Sequence, residues 1–118
     1  MKLRYFNLAK KLSKKSTHQF QLACVIVKKN IIISLGVNSI KTHPKSLTPY
    51  RMTHAEVDAV ASANIEDLNG ATAYLYRENK AGDNAISKPC PYCEMLLKRV
   101  GIKTVYYTVE GGYEKASY

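Results

Sequence analysis

The stretch "THAEVDAV" (residues 53–60) decides the fold and the site, since it places a histidine and two acids among small apolar residues. The segment Thr53–Asn64 is apolar on nearly every side, which predicts a helix packed between two layers. A second stretch, "KPCPYC" (residues 88–93), holds two cysteines at C-x-x-C spacing, where another helix is predicted to begin near Pro91. One site that uses both the polar residues of the first stretch and the two cysteines of the second would explain why each stands in its helix.

Working outward, periodicity predicts one α/β domain over residues 1–118. Tyr5 to Leu12 has the spacing of an amphipathic helix, with lysines on its other side that we interpret as a solvated face. The runs "FQLACVIV" and "IIISLGV", joined by "KKN", predict a hairpin, and "ATAYLY" and "KTVYYTV" predict two further strands. The order α-β-β-α-β-α-β contains a strand–helix–strand unit, which predicts a right-handed crossover between parallel neighbours.

The composition limits the classes of protein. The 118 residues are 46% hydrophobic and 23% charged, which is typical of a soluble globular chain. The first fifteen residues contain no continuous apolar run, so neither a secretory signal nor a membrane span is expected. Three cysteines give no disulfide framework, and a cytoplasmic location is the simplest expectation. A net charge of +9 favours anionic partners but does not separate a nucleotide from a nucleic acid or from a merely basic protein.

The predicted metal ligands are His54, Cys90 and Cys93. The i, i+3 cysteines fall on one side of the first turn of a helix, where backbone N–H groups favour thiolate over thiol. One imidazole and two thiolates suit Zn²⁺, and three protein ligands leave a fourth position for water, as in catalytic zinc sites. Cys24 belongs to a predicted strand and does not complete a four-ligand structural site.

Glu56 is the predicted proton-transfer group. Zinc with two thiolates and an imidazole is formally neutral, so its bound water is acidified less than at an all-histidine site, and a nearby carboxylate can take a proton from that water. Simpler interpretations exist for each part: Thr53 and Glu56 fit a capping box, the cysteines alone fit a redox pair or half of a structural site, and His54 alone fits a core histidine. The joint pattern favours catalysis.

The pattern H-x-E…P-C-x-x-C is the signature of zinc nucleobase deaminases. Through "HAE" (54–56), "PCPYC" (89–93) and "GVN" (36–38), the sequence resembles the cytidine/deoxycytidylate deaminase superfamily. The resemblance implies a three-layer α/β/α sandwich with a mixed sheet of four to five strands, the three zinc ligands above, and Glu56 as proton shuttle. It also implies that Asn38 hydrogen-bonds the sugar or base of the substrate.

Two further expectations concern the second ligand shell and the chain end. Asp58 lies on the helical face of His54, so we hypothesise that it accepts the other imidazole N–H; a solvent-facing acid is the alternative. Little sequence follows Val109, so the fifth strand and last helix of the family are expected to be short or absent. That puts in doubt one wall of the substrate pocket and the homo-oligomer that the family often forms.

The substrate is predicted to be a nucleotide such as dCMP, deaminated from cytosine to uracil in nucleotide metabolism. Cytosine or adenine in single-stranded DNA, RNA or tRNA is the alternative, and a catalytically silent basic zinc module that binds nucleic acid is a further one. Tyr106 or Tyr107 is a candidate for base stacking, one of the pair being structural. Candidates for substrate phosphate lie in the connection before His54: Lys41, His43, Lys45 and Arg51. A solvated basic loop is the alternative.

Overall fold

The computed structural model describes residues 2–16, 21–39, 54–79, 81 and 83–118. A five-stranded mixed sheet with strand order β2-β1-β3-β4-β5 carries helices on both faces, which confirms the predicted α/β sandwich. In chain order the elements are α1 (Leu3–Ser13), β1 (Leu22–Lys28), β2 (Ile31–Val37), α2 (Ala55–Ala61), α3 (Ile65–Leu68), β3 (Thr72–Arg77), α4 (Pro91–Arg99), β4 (Thr104–Val109) and β5 (Gly112–Ser117).

The predicted hairpin is formed by β1 and β2, which pair antiparallel. Lys29 and Asn30 connect them with φ values of 52° and 63°. Two successive left-handed residues form the type I′ turn, whose twist matches that of the paired strands. In the strand order, β2 lies at one edge of the sheet, and β1 is buried between β2 and β3.

The predicted parallel pairing of the strands on either side of α4 is also confirmed. β3 and β4 pair in parallel, with Thr72 opposite Thr104 and Leu75 opposite Tyr107, and α4 connects them. Gly101 ends the helix region with a φ of 92°, a left-handed conformation that glycine adopts at no steric cost. The crossover brings the start of α4 and the end of β3 to the same edge of the sheet.

The expectation of a short or absent fifth strand is wrong. β5 pairs antiparallel with β4 along its whole length, from Val109 opposite Gly112 to Thr104 opposite Ser117. Gly111, with a φ of 76°, supplies the tight turn that sends the chain back along β4. The strand escaped prediction because its residues are mostly exposed and lack a continuous apolar face.

The sheet separates two apolar cores. On one face, Tyr5, Phe6 and Ala9 of α1 pack against buried residues of β1 and β3. On the other face, Ala55 and Ala59 of α2 join Leu97 of α4. Lys10 and Lys11 of α1 are exposed, as predicted, and Lys14, directly after the helix, forms an ion pair with Glu78.

The predicted helix over Thr53–Asn64 is shorter in the structure. α2 ends at Ala61, and Asn64 is extended (φ −74°, ψ 129°) as the N-cap residue of α3. Ser62 and Asn64 are residue types that favour helix caps and turns over helix interiors, which is consistent with a break at that point. None of the helices in the described residues is long and apolar enough to cross a membrane.

Candidate metal centre and its cavity

His54, Cys90 and Cys93 meet in the structure, although they come from two distant segments. The Nδ1 atom of His54 lies 3.3 Å from Cys93 Sγ and 3.9 Å from Cys90 Sγ. All three ligand atoms lie within 4.8 Å of one another. The sequence prediction that these side chains converge is thus consistent with the fold.

Two helix starts hold the cluster. His54 is the N-cap residue of α2 and Cys90 that of α4, and Pro91 follows at the first helical position. The Cys93 backbone N–H donates to Cys90 Sγ at 3.4 Å, which fixes the C-x-x-C turn. α2 and α4 contact each other, and the short distances from His54 to the two cysteines show that their N-terminal ends lie side by side.

The geometry fits a tetrahedral zinc ion. Zn–S bonds of about 2.3 Å and Zn–N bonds of about 2.0 Å keep ligand atoms about 3.5–3.8 Å apart, close to the observed separations. Burial, together with the Glu56 carboxylate and the Cys90 sulfur, raises the pKa of the Cys93 thiol, so the protein alone favours the protonated form. A divalent cation reverses this preference, because a coordinating thiol is deprotonated. These three residues could hold zinc.

Glu56 is buried beside this cluster, with 3% of its surface exposed. Burial raises the pKa of its carboxyl group, while hydrogen bonds from its own backbone N–H and from Cys93 lower that pKa in part. The capping-box interpretation is wrong, because His54 is the N-cap residue and Glu56 occupies the second helical position. A buried carboxyl group next to a cation-binding cluster has the environment of a proton-transfer residue.

A cavity of about 350 Å³ opens onto the cluster. Its volume lies within the range of small-molecule sites, about 300–1,000 Å³. Its floor and walls are formed by Leu22, Asn38, His54, Ala55, Glu56, Arg77, Ile86, Ser87, Lys88 and Cys90. One imidazole, one carboxyl group and one thiol of the predicted site therefore face a common space.

Asn38 lines this cavity directly after β2 and is 9% exposed. Its Oδ1 atom accepts hydrogen bonds from the Leu22 N–H at 2.9 Å and from the Ser16 hydroxyl at 2.5 Å. The side chain is thus oriented by β1 and by the segment that follows α1 before any ligand enters. Its predicted contact with the sugar or base of a substrate stays a prediction.

β2 and α2 approach closely at Gly36, which explains the glycine of "GVN". A Cβ atom at Gly36 would lie 2.4 Å from both Ala55 O and Ala59 N. The Ser34 hydroxyl donates to Ala59 O at 2.6 Å, and the Val37 N–H donates to Asp58 Oδ2 at 3.0 Å. The predicted bond from His54 to Asp58 stays a prediction.

Other predicted substrate residues do not join the described site. Tyr107 is 6% exposed, and its hydroxyl donates to Glu114 Oε2 at 3.0 Å, away from the described cavity lining. Tyr106 stacks on Tyr74 at 5.1 Å on the α1 face. The basic candidates Lys41, His43, Lys45 and Arg51, as well as Thr53, lie outside the described residues.

Sequence reasoning missed one wall of the cavity, formed by Arg77, Ile86, Ser87 and Lys88. The Ser87 hydroxyl donates to Leu75 O at 3.0 Å and accepts from the Thr108 N–H at 2.8 Å. Both hydroxyl residues are at most 1% exposed. The segment before Cys90 is therefore fastened across β3 and β4. The available sequence signal for this wall was Ser87, directly before "KPC" (residues 88–90).

Comparison with known proteins agrees with the geometry. Residues 1–109 match the family described as cytidine and deoxycytidylate deaminase zinc-binding region. Among curated proteins, none matches the chain. A cytidine deaminase from Burkholderia pseudomallei superposes with a TM-score of 0.68 at 20% identity, covering 99% of this chain and 93% of that one.

Two further solved structures share the fold. The dCMP deaminase of cyanophage S-TIM5, in complex with dCMP and dUMP, has a TM-score of 0.56 at 19% identity and covers 89% of this chain and 81% of its own. Acinetobacter baumannii RibD has a TM-score of 0.55 at 28% identity over 86% of this chain. The present chain spans only 26% of that RibD chain.

Proposed function

Because this chain belongs to the cytidine and deoxycytidylate deaminase zinc-binding family, we propose that it hydrolyses the exocyclic C–N bond of cytosine in a mononucleotide such as dCMP. The products are uracil nucleotide and ammonia, with water as the second substrate. The observation that carries this proposal is the arrangement of Glu56 with His54, Cys90 and Cys93 at one small-molecule cavity.

His54, Cys90 and Cys93 would hold the metal. When bound, zinc supplies the Lewis acidity that makes water nucleophilic at neutral pH. Glu56 would take one proton from the attacking water and give it to the ring nitrogen next to the reacting carbon. It would then take the proton of the newly added hydroxyl group and give it to the departing amine, so that the ring carbon becomes a carbonyl and the amine leaves as ammonia. Its buried position at the cavity, beside the candidate ligands, suits this cycle, because general acid–base transfer needs the carboxyl group within hydrogen-bond reach of the reacting atoms.

The surrounding residues orient the base. The amide of Asn38, fixed by Leu22 and Ser16, offers a polar contact at the cavity wall. Leu22, Ala55 and Ile86 supply apolar surface for the faces of a planar ring.

The two alternative functions, deamination of a polynucleotide and a catalytically silent zinc module, predict different properties. A polymer substrate must present an unpaired base to the cavity, and its many phosphates would make activity fall steeply with salt. A silent zinc module has no use for a buried carboxyl group beside an open metal position. The deep setting of Glu56 therefore favours an enzyme. The steepness of the salt dependence distinguishes a polymer substrate from a mononucleotide.

Substitution Glu56→Gln tests the proposal. The amide keeps the shape of the side chain but does not exchange protons, so kcat/KM for dCMP should fall by about 10²–10⁴-fold. Zinc content and the far-ultraviolet circular dichroism spectrum should match the unsubstituted protein. Glu66→Gln, at an exposed site on α3, is the matched control. A panel of cytidine, dCMP, adenosine forms and oligonucleotides that yields no ammonia would overturn the assignment.

A further inference from the structure

We infer that Arg77, with a smaller contribution from Lys88, recognises the phosphate monoester of the substrate. This inference rests on the proposed deaminase function. Both side chains line the cavity that holds the candidate metal cluster. They are the cations among its described lining residues, and Glu56 is the carboxylate there. The cavity thus combines a catalytic end with a wall suited to a ligand anion.

Arg77 is positioned by the fold before a ligand binds. It is the last residue of β3, and its backbone N–H donates to Thr108 Oγ1 at 3.2 Å. Its Nη1 atom donates to Ile86 O at 3.3 Å, so the guanidinium group is oriented along the wall formed by residues 86–88. A guanidinium carries five N–H donors in a rigid fork and can hold a wall carbonyl and a substrate anion together.

The partial burial of Arg77 makes it the principal group and Lys88 the secondary one. Arg77 is half-buried at the cavity, whereas Lys88 is exposed. An ionic contact weakens in high dielectric and in salt, so the half-buried cation contributes more than the exposed one. The planar guanidinium also matches phosphate in a bidentate manner, which an ammonium does not.

A terminal phosphate is the anion that this wall fits best. The cavity volume of about 350 Å³ accommodates a small molecule with its base near Glu56. A phosphate monoester carries about −1.5 to −2 charges at neutral pH, more than one backbone phosphodiester. Arg77 and Lys88 therefore favour a mononucleotide over a nucleoside.

The test compares kcat/KM for dCMP with kcat/KM for deoxycytidine. In Arg77→Gln, the ratio of the two should fall by about 10- to 100-fold, as expected for the loss of a charge-assisted hydrogen bond. Arg77→Lys should lose part of that factor, and Lys88→Gln should lose less than Arg77→Gln. Arg99→Gln, which removes the same charge at an exposed position on α4, should leave the ratio unchanged.

Binding separates this inference from the proposed function. Calorimetric titration of zinc-loaded Glu56→Gln protein with dCMP and with deoxycytidine, with and without Arg77→Gln, measures recognition without turnover. If dCMP binding depends on Arg77 while the unsubstituted protein deaminates nothing, recognition holds and the proposed function fails. If Arg77→Gln keeps the preference for dCMP over deoxycytidine, in kcat/KM and in binding, as fully as Arg99→Gln does, the inference is overturned. Should Arg77→Gln not fold, unchanged preferences in both Arg77→Lys and Lys88→Gln overturn it equally.

Discussion

The backbone N–H of Val37 donates to Asp58 Oδ2 at 3.0 Å, which joins the end of β2 to the helix that begins at the metal cluster. Val37 precedes Asn38 at the cavity wall, and Asp58 lies one turn after His54 on α2. The Asp58 carboxylate therefore links α2, which follows His54, to the end of β2, which leads into Asn38 at the cavity wall.

Removal of this link should destabilise the fold. We expect Asp58→Ala to lower the free energy of unfolding by about 1–3 kcal/mol, because the Val37 N–H loses its acceptor in a partly buried setting. Asp58→Asn retains a carbonyl oxygen and should lose less. Urea unfolding measures both, with Asp67→Asn on exposed α3 as the control. Equal midpoints for Asp58→Ala and Asp67→Asn would refute the structural role.

The same Asp58 variants test the hypothesis about His54. If Asp58 also orients the imidazole, zinc affinity in Asp58→Ala should fall by about 10- to 100-fold, as for other groups behind metal ligands. Competition with a chelator of known affinity measures this. Unchanged zinc affinity and turnover would remove Asp58 from the second ligand shell and leave it as a link between β2 and α2.

Gly36 should tolerate no side chain. A Cβ atom 2.4 Å from Ala55 O would force α2 away from β2, and such overpacking costs about 1–3 kcal/mol or more. We expect Gly36→Ala to lower the melting temperature and the zinc affinity together, because α2 carries His54. Gly112→Ala is the matched control, since no atom lies within 4 Å of its Cβ position. Equal melting temperatures in the two variants would contradict the close packing.

The three cysteines should differ in their reaction with iodoacetamide. Cys24 is fully buried, and burial raises the pKa of its thiol well above the usual value, so it should react only on unfolding. Half-buried Cys90 at the cavity should react first in metal-free protein. Added zinc should protect Cys90 and Cys93, and a chelator should restore labelling. Peptide mass spectrometry checks the order; early labelling of Cys24 would contradict it.

The sequence was informative where pattern and local chemistry coincide. The two motifs indicated that His54 converges with Cys90 and Cys93. The fold achieves this because it brings the starts of α2 and α4 side by side. The "KKN" turn and the β3–α4–β4 crossover followed from periodicity and handedness. In each case a short range of residues, or a general rule of chain connection, determined the outcome.

What escaped prediction depends on long-range packing. Arg77 joins the cavity because residues 86–88 fold back onto β3 and β4 through Ser87 and Thr108. β5 forms because Gly111 turns the chain onto an available edge, although its own residues lack an apolar face. The end of α2 at Ala61 is a different, local case, because it falls just before Ser62 and Asn64, residue types that favour caps and turns.

The candidate ligands are far apart along the chain: His54 precedes Cys90 by 36 residues and Cys93 by 39. An ion held by them is a cross-link as well as a reagent, because it closes a long loop whose formation is entropically costly in the unfolded chain. Metal occupancy and resistance to proteolysis should therefore rise together, so that the loss of cofactor shortens the lifetime of the protein itself.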